Sequence, residues 1–184
     1  YHGEHPAPAG GDAHRRLAAP GHSDAFVHAV HGRALFALHL PCNEALSRVL
    51  PQIVAEIWAV VGPQARFTLV FDRGGFSGEV FRWLTPEGLG FITYLKGRAA
   101  QRRFSASRFT RRWWAFEGKR RVYRLYEKGT RVAKAGVLRT VIWQAPDGSQ
   151  IPVLTNRADW PAPQLVPVLR LRWRQENSLK YLSD

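Results

Sequence analysis

The amino-acid sequence predicts a mixed α/β fold, and three observations carry that expectation. The run Phe67-Thr68-Leu69-Val70-Phe71 is a continuous apolar segment of the kind found in central buried strands. Segments with helical apolar spacing lie on both sides of it, so strands and helices alternate. Beyond residue 96 the pattern changes to alternation of period two, as in antiparallel strands with one solvated face. The chain has 184 residues, 45% of them hydrophobic, which is enough for one substantial core and hardly for two.

Taken in order, Tyr1 to Ser23 is rich in Gly, Pro, Ala and His without apolar periodicity, and is expected to be a loop or irregular edge. Ala25–Val30 and Ala34–Leu40, separated by His31-Gly32-Arg33, look like a hairpin. From Asn43 to Val61 the residues Leu46, Val49, Leu50, Ile53, Ile57 and Val60 recur at helical spacing, with Asn43 as the expected cap and Gly62-Pro63 as the stop. Asp72-Arg73-Gly74-Gly75 closes the central strand, a helix spans about Ser77 to Thr85, and a further strand covers Phe91–Leu95. Arg121–Tyr126 and Val137–Trp143 alternate as antiparallel strands expected to share one basic face. Ala145–Ser149 is a turn before a strand at Ile151–Thr155. A last helix runs from about Pro161 to Leu182, with Asp159 as its expected cap and Pro167 inside it.

The charge is uneven. Lys and Arg number 27 against 14 Asp and Glu, a formal net charge of +13. Residues 96–139 hold fifteen of those cations and only two acids, Glu117 and Glu127, so they account for the whole excess. Such a segment favours a polyanionic partner, and its interleaved Trp113, Trp114, Phe116, Tyr123 and Tyr126 suit nucleic acid. No uncharged apolar stretch reaches the roughly 18–20 residues of a membrane span, and no signal-peptide pattern opens the chain. The single cysteine, Cys42, leaves no internal disulfide to form and fits a reducing compartment.

Two carboxylates stand out. Asp72 ends the buried strand, where open α/β sheets gather their ligands, although an Asp before Gly-Gly also opens ordinary turns. Glu176 shares a helical stripe with Leu165, Val168, Leu169, Arg172, Trp173 and Leu179. A carboxylate on such a stripe needs a metal or an ionic partner, and Arg172 one turn earlier is the simple one. His2, His5, His14 and His22 read as solvated loop residues rather than a metal site. Gly74, Gly75 and Gly78 match no phosphate-loop or dinucleotide spacing.

Three blocks together resemble the DDE insertion-sequence transposases whose ribonuclease-H-like fold carries a β-strand insertion. They are Val70-Phe71-Asp72-Arg73-Gly74-Gly75-Phe76-Ser77, Phe91-Ile92-Thr93-Tyr94-Leu95-Lys96-Gly97, and Arg172 through Tyr181. Tyr1-His2-Gly3 and Leu40-Pro41-Cys42-Asn43-Glu44 are similar to the same group, so the resemblance spans nearly the whole chain. It implies two divalent ions, Mg²⁺ or Mn²⁺, held by three acids that cut and join DNA. Asp72 matches the second acid. In the family's Tyr-x2-Arg-x3-Glu-x6-Lys signature, Arg172 and Glu176 match the Arg and the catalytic Glu, while Leu169 and Ser183 stand where the Tyr and Lys are expected. Lys180 is the nearest substitute for that Lys.

The family's first acid lies on a strand just before a Tyr-His-Gly like that at Tyr1–Gly3, so the resemblance implies a fragment whose beginning lies upstream; Asp12 and Asp24 are in the wrong context to replace that acid. The expected organisation is a core at 1–95 without its first strand, a basic β-rich insertion at 96–156 and a closing catalytic helix at 157–184. Arg111, Arg112, Lys119, Arg120, Arg121, Arg172, Lys180 and Trp113 are the expected DNA contacts. The expected partners are the element's terminal repeats and target DNA, with a homodimer in the synaptic complex and no membrane. The expected location is the bacterial cytoplasm, at the nucleoid. Two other readings fit the same residues: a non-catalytic DNA-binding remnant or domesticated domain, and a related ribonuclease-H-like nuclease.

Overall fold

A computed structural model describes residues 9–12, 17–20, 22–30, 32–41 and 44–180, with side chains for 24–30, 32–41 and 44–172. Its centre is a six-stranded mixed sheet in the order β5-β6-β10-β9-β8-β7. The strands are β5 (Thr68–Val70), β6 (Gly90–Tyr94), β7 (Thr110–Phe116), β8 (Lys119–Val132), β9 (Gly136–Gln144) and β10 (Gln150–Thr155). β5 and β6 are parallel, with Val70 opposite Ile92, and every other pairing is antiparallel. A parallel pair needs a long crossover, which α2 (Gly78–Leu84) supplies. Ser77 caps α2 by accepting from the Val80 amide. β10 pairs with β6, so the basic strands continue the sheet that holds Asp72 across the boundary drawn at residue 95. The mixed sheet with flanking helices is compatible with the expected ribonuclease-H-like fold.

Ahead of the sheet, β3 (His22–His28) and β4 (Ala34–Pro41) form the expected hairpin. The segment read as a loop holds a second hairpin, in which β1 (Ala9–Asp12) pairs with β2 (Leu17–Pro20). Ala-Gly-Gly-Asp against Leu-Ala-Ala-Pro has no apolar alternation that would mark strands in the sequence. Helix α1 (Leu46–Val61) buries Val49, Leu50, Ile53, Val54 and Ile57, three and four residues apart. Its cap position is Ala45, which makes no side-chain cap; Asn43, the expected cap, lies outside the described residues. Gly62 ends the helix at φ 94°, and its amide donates to the Trp58 carbonyl.

One core lies where α1 and α2 cover one face of the sheet. Phe81 and Phe91 stack there at 4.4 Å between ring centres, with Phe71 beside both. Full burial of each such side chain contributes about 1.5–3 kcal/mol. The other core joins Ile92, Tyr123, Leu125, Val141 and Val153 to α4 (Ala162–Lys180). From Ala162 to Leu171, every residue of α4 is buried except Gln164 and Arg170. The single apolar stripe expected of this helix is thus too narrow a description of its first half. The curl of the sheet brings Trp114 and Phe116 of β7 against α4 as well as the central strands. Asp159 is in an ion pair with Arg157 just before the helix. No helix among the described residues is long and apolar enough to cross a membrane.

Candidate active site and nucleic-acid interface

Asp72 lies two residues beyond β5, at the carboxyl end of the parallel pair. Its backbone is tied to the neighbouring strand, because Thr93 Oγ1 donates to the Asp72 carbonyl at 3.0 Å. Its Oδ1 accepts from the Gly74 amide at 2.8 Å, closing a short 3₁₀ turn over Arg73–Gly75. The ordinary turn role is therefore present in Asp72. Glycine is required in that turn: a Cβ on Gly75 would lie 2.5 Å from the Phe71 ring. The Arg73 guanidinium sits 5.7 Å from the centre of the Tyr94 ring, adding a cation beside the carboxylate turn.

Thr93 was not singled out by sequence reasoning. Its signal was present: it is the one polar residue in the apolar strand Phe91-Ile92-Thr93-Tyr94-Leu95, and it is fully buried. A buried hydroxyl needs a partner, and the backbone of Asp72 is that partner.

Glu176 and Lys180 fall on the backbone of α4, but their side chains lie outside the described residues. Arg172 is half-buried on the same helix. Leu169, at the position of the signature Tyr, is 3% exposed and belongs to the core. Among the described residues, no three His, Cys, Asp or Glu side chains come together as a metal-binding group.

Arg111, Arg112, Lys119, Arg120 and Arg121 are all exposed on the β7–β8 hairpin. They do not share one basic face, as the sequence suggested. Tyr123 and Leu125 pack toward α4, so register and alternation put Arg112 and Arg121 on that face and Arg111 and Arg120 on the opposite one. On the α4 face Arg112 and Arg121 border the packed Trp114 and Phe116, while Arg111, Trp113 and Arg120 lie exposed on the other face. Trp113 is 58% exposed, with the Arg120 guanidinium 4.8 Å from its ring centre. Its neighbour Trp114 packs against the α4 core.

No curated protein matches the sequence. Residues 24–184 match the transposase DDE domain, a span that runs from within β3 through α4 and includes both Asp72 and Glu176. With a mixed sheet of the expected kind and Asp72 at the carboxyl end of its parallel pair, the chain belongs to the transposase DDE domain family and is a transposase-type protein.

Proposed function

We propose that the chain supplies two acids, Asp72 and Glu176, to a site that cleaves DNA at the ends of an insertion sequence and joins it to a target. The observation that supports this most is the family match, over a span that carries Asp72 at the carboxyl end of the parallel strands. The donor chemistry fits hard divalent cations, because carboxylate oxygens are the ligands Mg²⁺ and Mn²⁺ take. Asp72 and Glu176 would hold two such ions, together with the third acid of the family's triad. When bound, the ions activate the attacking oxygen and stabilise the charge of the phosphoryl transition state.

The chain's own groups do the rest. The Thr93 bond and the Gly74 turn hold Asp72 in one place, which preserves the orientation that phosphoryl transfer depends on. Cations of the β7–β8 hairpin neutralise phosphates of the element's terminal repeats and fix the DNA register. Arg172 and Lys180 are proposed to contact DNA beside Glu176, and two copies are proposed to pair the two element ends. Such a protein would work at the nucleoid, in the bacterial cytoplasm. A second reading, a non-catalytic DNA-binding remnant, is favoured by one observation. Leu169 is buried where the family signature has a Tyr, so that position contributes to packing.

Cleavage of DNA carrying the element's ends, in Mg²⁺ or Mn²⁺, separates these readings. The full-length protein should nick the DNA. Asp72→Asn or Glu176→Gln should cut the rate by at least about a hundredfold, because metal-assisted stabilisation amounts to several kcal/mol. DNA binding should be largely spared. Equal cleavage by either substituted protein would reject the site.

A further inference from the structure

On the sheet face turned away from α4, a second group of cations gathers around two rings. Phe104 and Tyr126 lie 5.0 Å apart. Arg102 and Lys128 approach the Phe104 ring at 5.4 and 5.3 Å, and Arg108 stacks over Tyr126 at 5.6 Å while donating to its hydroxyl at 3.1 Å. Arg124 donates to the Ala106 carbonyl from the strand below. The segment bearing these residues is fastened to β10. The Gln150 side chain accepts from the Phe104 amide at 2.9 Å and donates to the Phe104 carbonyl at 2.8 Å.

What distinguishes this group is aromatic and backbone anchoring of cations that are paired with no acid among the described residues, in contrast to Arg139 with Glu127, Lys134 with Glu79 and Arg157 with Asp159. Among the described residues, no carboxylate forms an ion pair with Arg102, Arg108, Arg124 or Lys128. Their partners are π faces, a phenol and a carbonyl, which orient a cation without neutralising it. Four cations held close together repel one another, and a polyanion removes that repulsion. Glu127, the only acid within this stretch of β8, alternates onto the α4 face and is bound to Arg139 there.

We infer that Arg102, Arg108, Arg124 and Lys128, set around Phe104 and Tyr126, form a phosphodiester-binding surface for duplex DNA on the face opposite α4. The surface adjoins Arg111 of the β7–β8 hairpin, which lies directly opposite Arg124 on the same face, and it reads backbone charge rather than sequence. It rests on the DNA partner proposed above but not on the metal site.

The test is a salt titration of duplex DNA binding in EDTA, which removes any contribution from divalent ions. Arg102→Gln, Arg108→Gln and Lys128→Gln are combined in one protein whose circular dichroism and melting match the wild type. The slope of log affinity against log salt should become shallower by roughly 3, close to one unit for each phosphate that is no longer neutralised. If the surface is wrong, the wild type binds with a steep slope and the triple variant keeps it. Absence of duplex binding by the wild type would overturn the DNA partner itself, and this inference with it. A Gln150→Leu protein should also show a shallower slope, because the segment carrying Arg102 and Arg108 loses its tether while every cation remains; an unaltered slope would contradict the built character of the surface.

Discussion

Two strands of the central sheet, β6 inside one end and β7 at the other, are built on opposite terms. β6 is buried over Gly90–Thr93 and nearly so at Tyr94, under α1 and α2 on one side and α4 on the other. β7 is exposed at Thr110–Trp113 and only partly covered at Trp114 and Phe116. The covered end is apolar and holds Asp72 by a buried threonine; the bare end carries arginines on both faces. One continuous sheet thus joins a rigid, water-excluding region to a charged one. That arrangement suits a protein that must fix a carboxylate and also hold a polyanion, since burial and charge cannot be maximised at the same residues.

The largest effect that would sharpen this contrast is electrostatic. Affinity of the chain for duplex DNA should fall by roughly 10³–10⁵ between 50 and 200 mM salt if six to ten phosphates are contacted. An affinity indifferent to salt would remove the bare end from the account. Substitutions should then separate the ends by stability. Leu165→Ala, at a fully buried position of α4, should cost about 2–5 kcal/mol in urea unfolding. Trp113→Ala, on the exposed hairpin, should stay within about 0.5 kcal/mol despite removing a larger side chain. Similar costs for the two would break the comparison.

The junction between the ends gives smaller effects. The first residue of α2, Gly78, meets the β8–β9 turn so closely that an added Cβ would lie 1.8 Å from the Ala133 carbonyl oxygen. Gly78→Ala should therefore destabilise the fold by about 1–3 kcal/mol through overpacking, measured by the same unfolding. An unchanged midpoint would mean that the turn moves freely.

Beside it, Lys134 binds Glu79 and holds its carboxyl below the ordinary value of 4.5, by hydrogen bond first and charge second. A depressed carboxylate stabilises the fold above its ordinary value and loses that contribution as pH falls through the lowered one. The pair is exposed, so the effect is small. Glu79→Gln should melt slightly below wild type at neutral pH and low salt, and the gap should close as pH drops below 4.5. A gap that persists in acid would assign the difference to packing instead.

These contrasts also explain what the sequence could reveal. The elements around Asp72 were legible as a strand at Phe67–Phe71 and a helix with strict apolar spacing in α1, but the strand, expected to be central and buried, is the half-buried end strand of the described sheet. Sheet order was not legible, since nothing local in Ile151–Thr155 states that it will lie beside β6 rather than at an edge. The β1–β2 hairpin was hidden because backbone pairing of Ala and Gly leaves no side-chain pattern. Alternation showed that the β7–β8 strands were amphipathic, but not that cations would occupy both faces, because that depends on how much of one face α4 covers. At the site, the place of Asp72 at a strand end was readable from Asp-Arg-Gly-Gly, whereas its tie to Thr93 depends on pairing across 21 residues. The position of Glu176 relative to Asp72 rests on resemblance, because helical phase alone cannot bring together residues 104 positions apart.

The central claim is that one site uses both carboxylates, and a crystal of the protein soaked in Mn²⁺ tests it most directly through anomalous scattering. The account predicts at least one Mn²⁺ peak coordinated by Asp72 and Glu176. Two metals about 3.5–4 Å apart require the carboxylates that share them to lie within roughly 12 Å of each other. Ordered Asp72 and Glu176 carboxylates farther apart than that, or Mn²⁺ bound at one without the other, would contradict it.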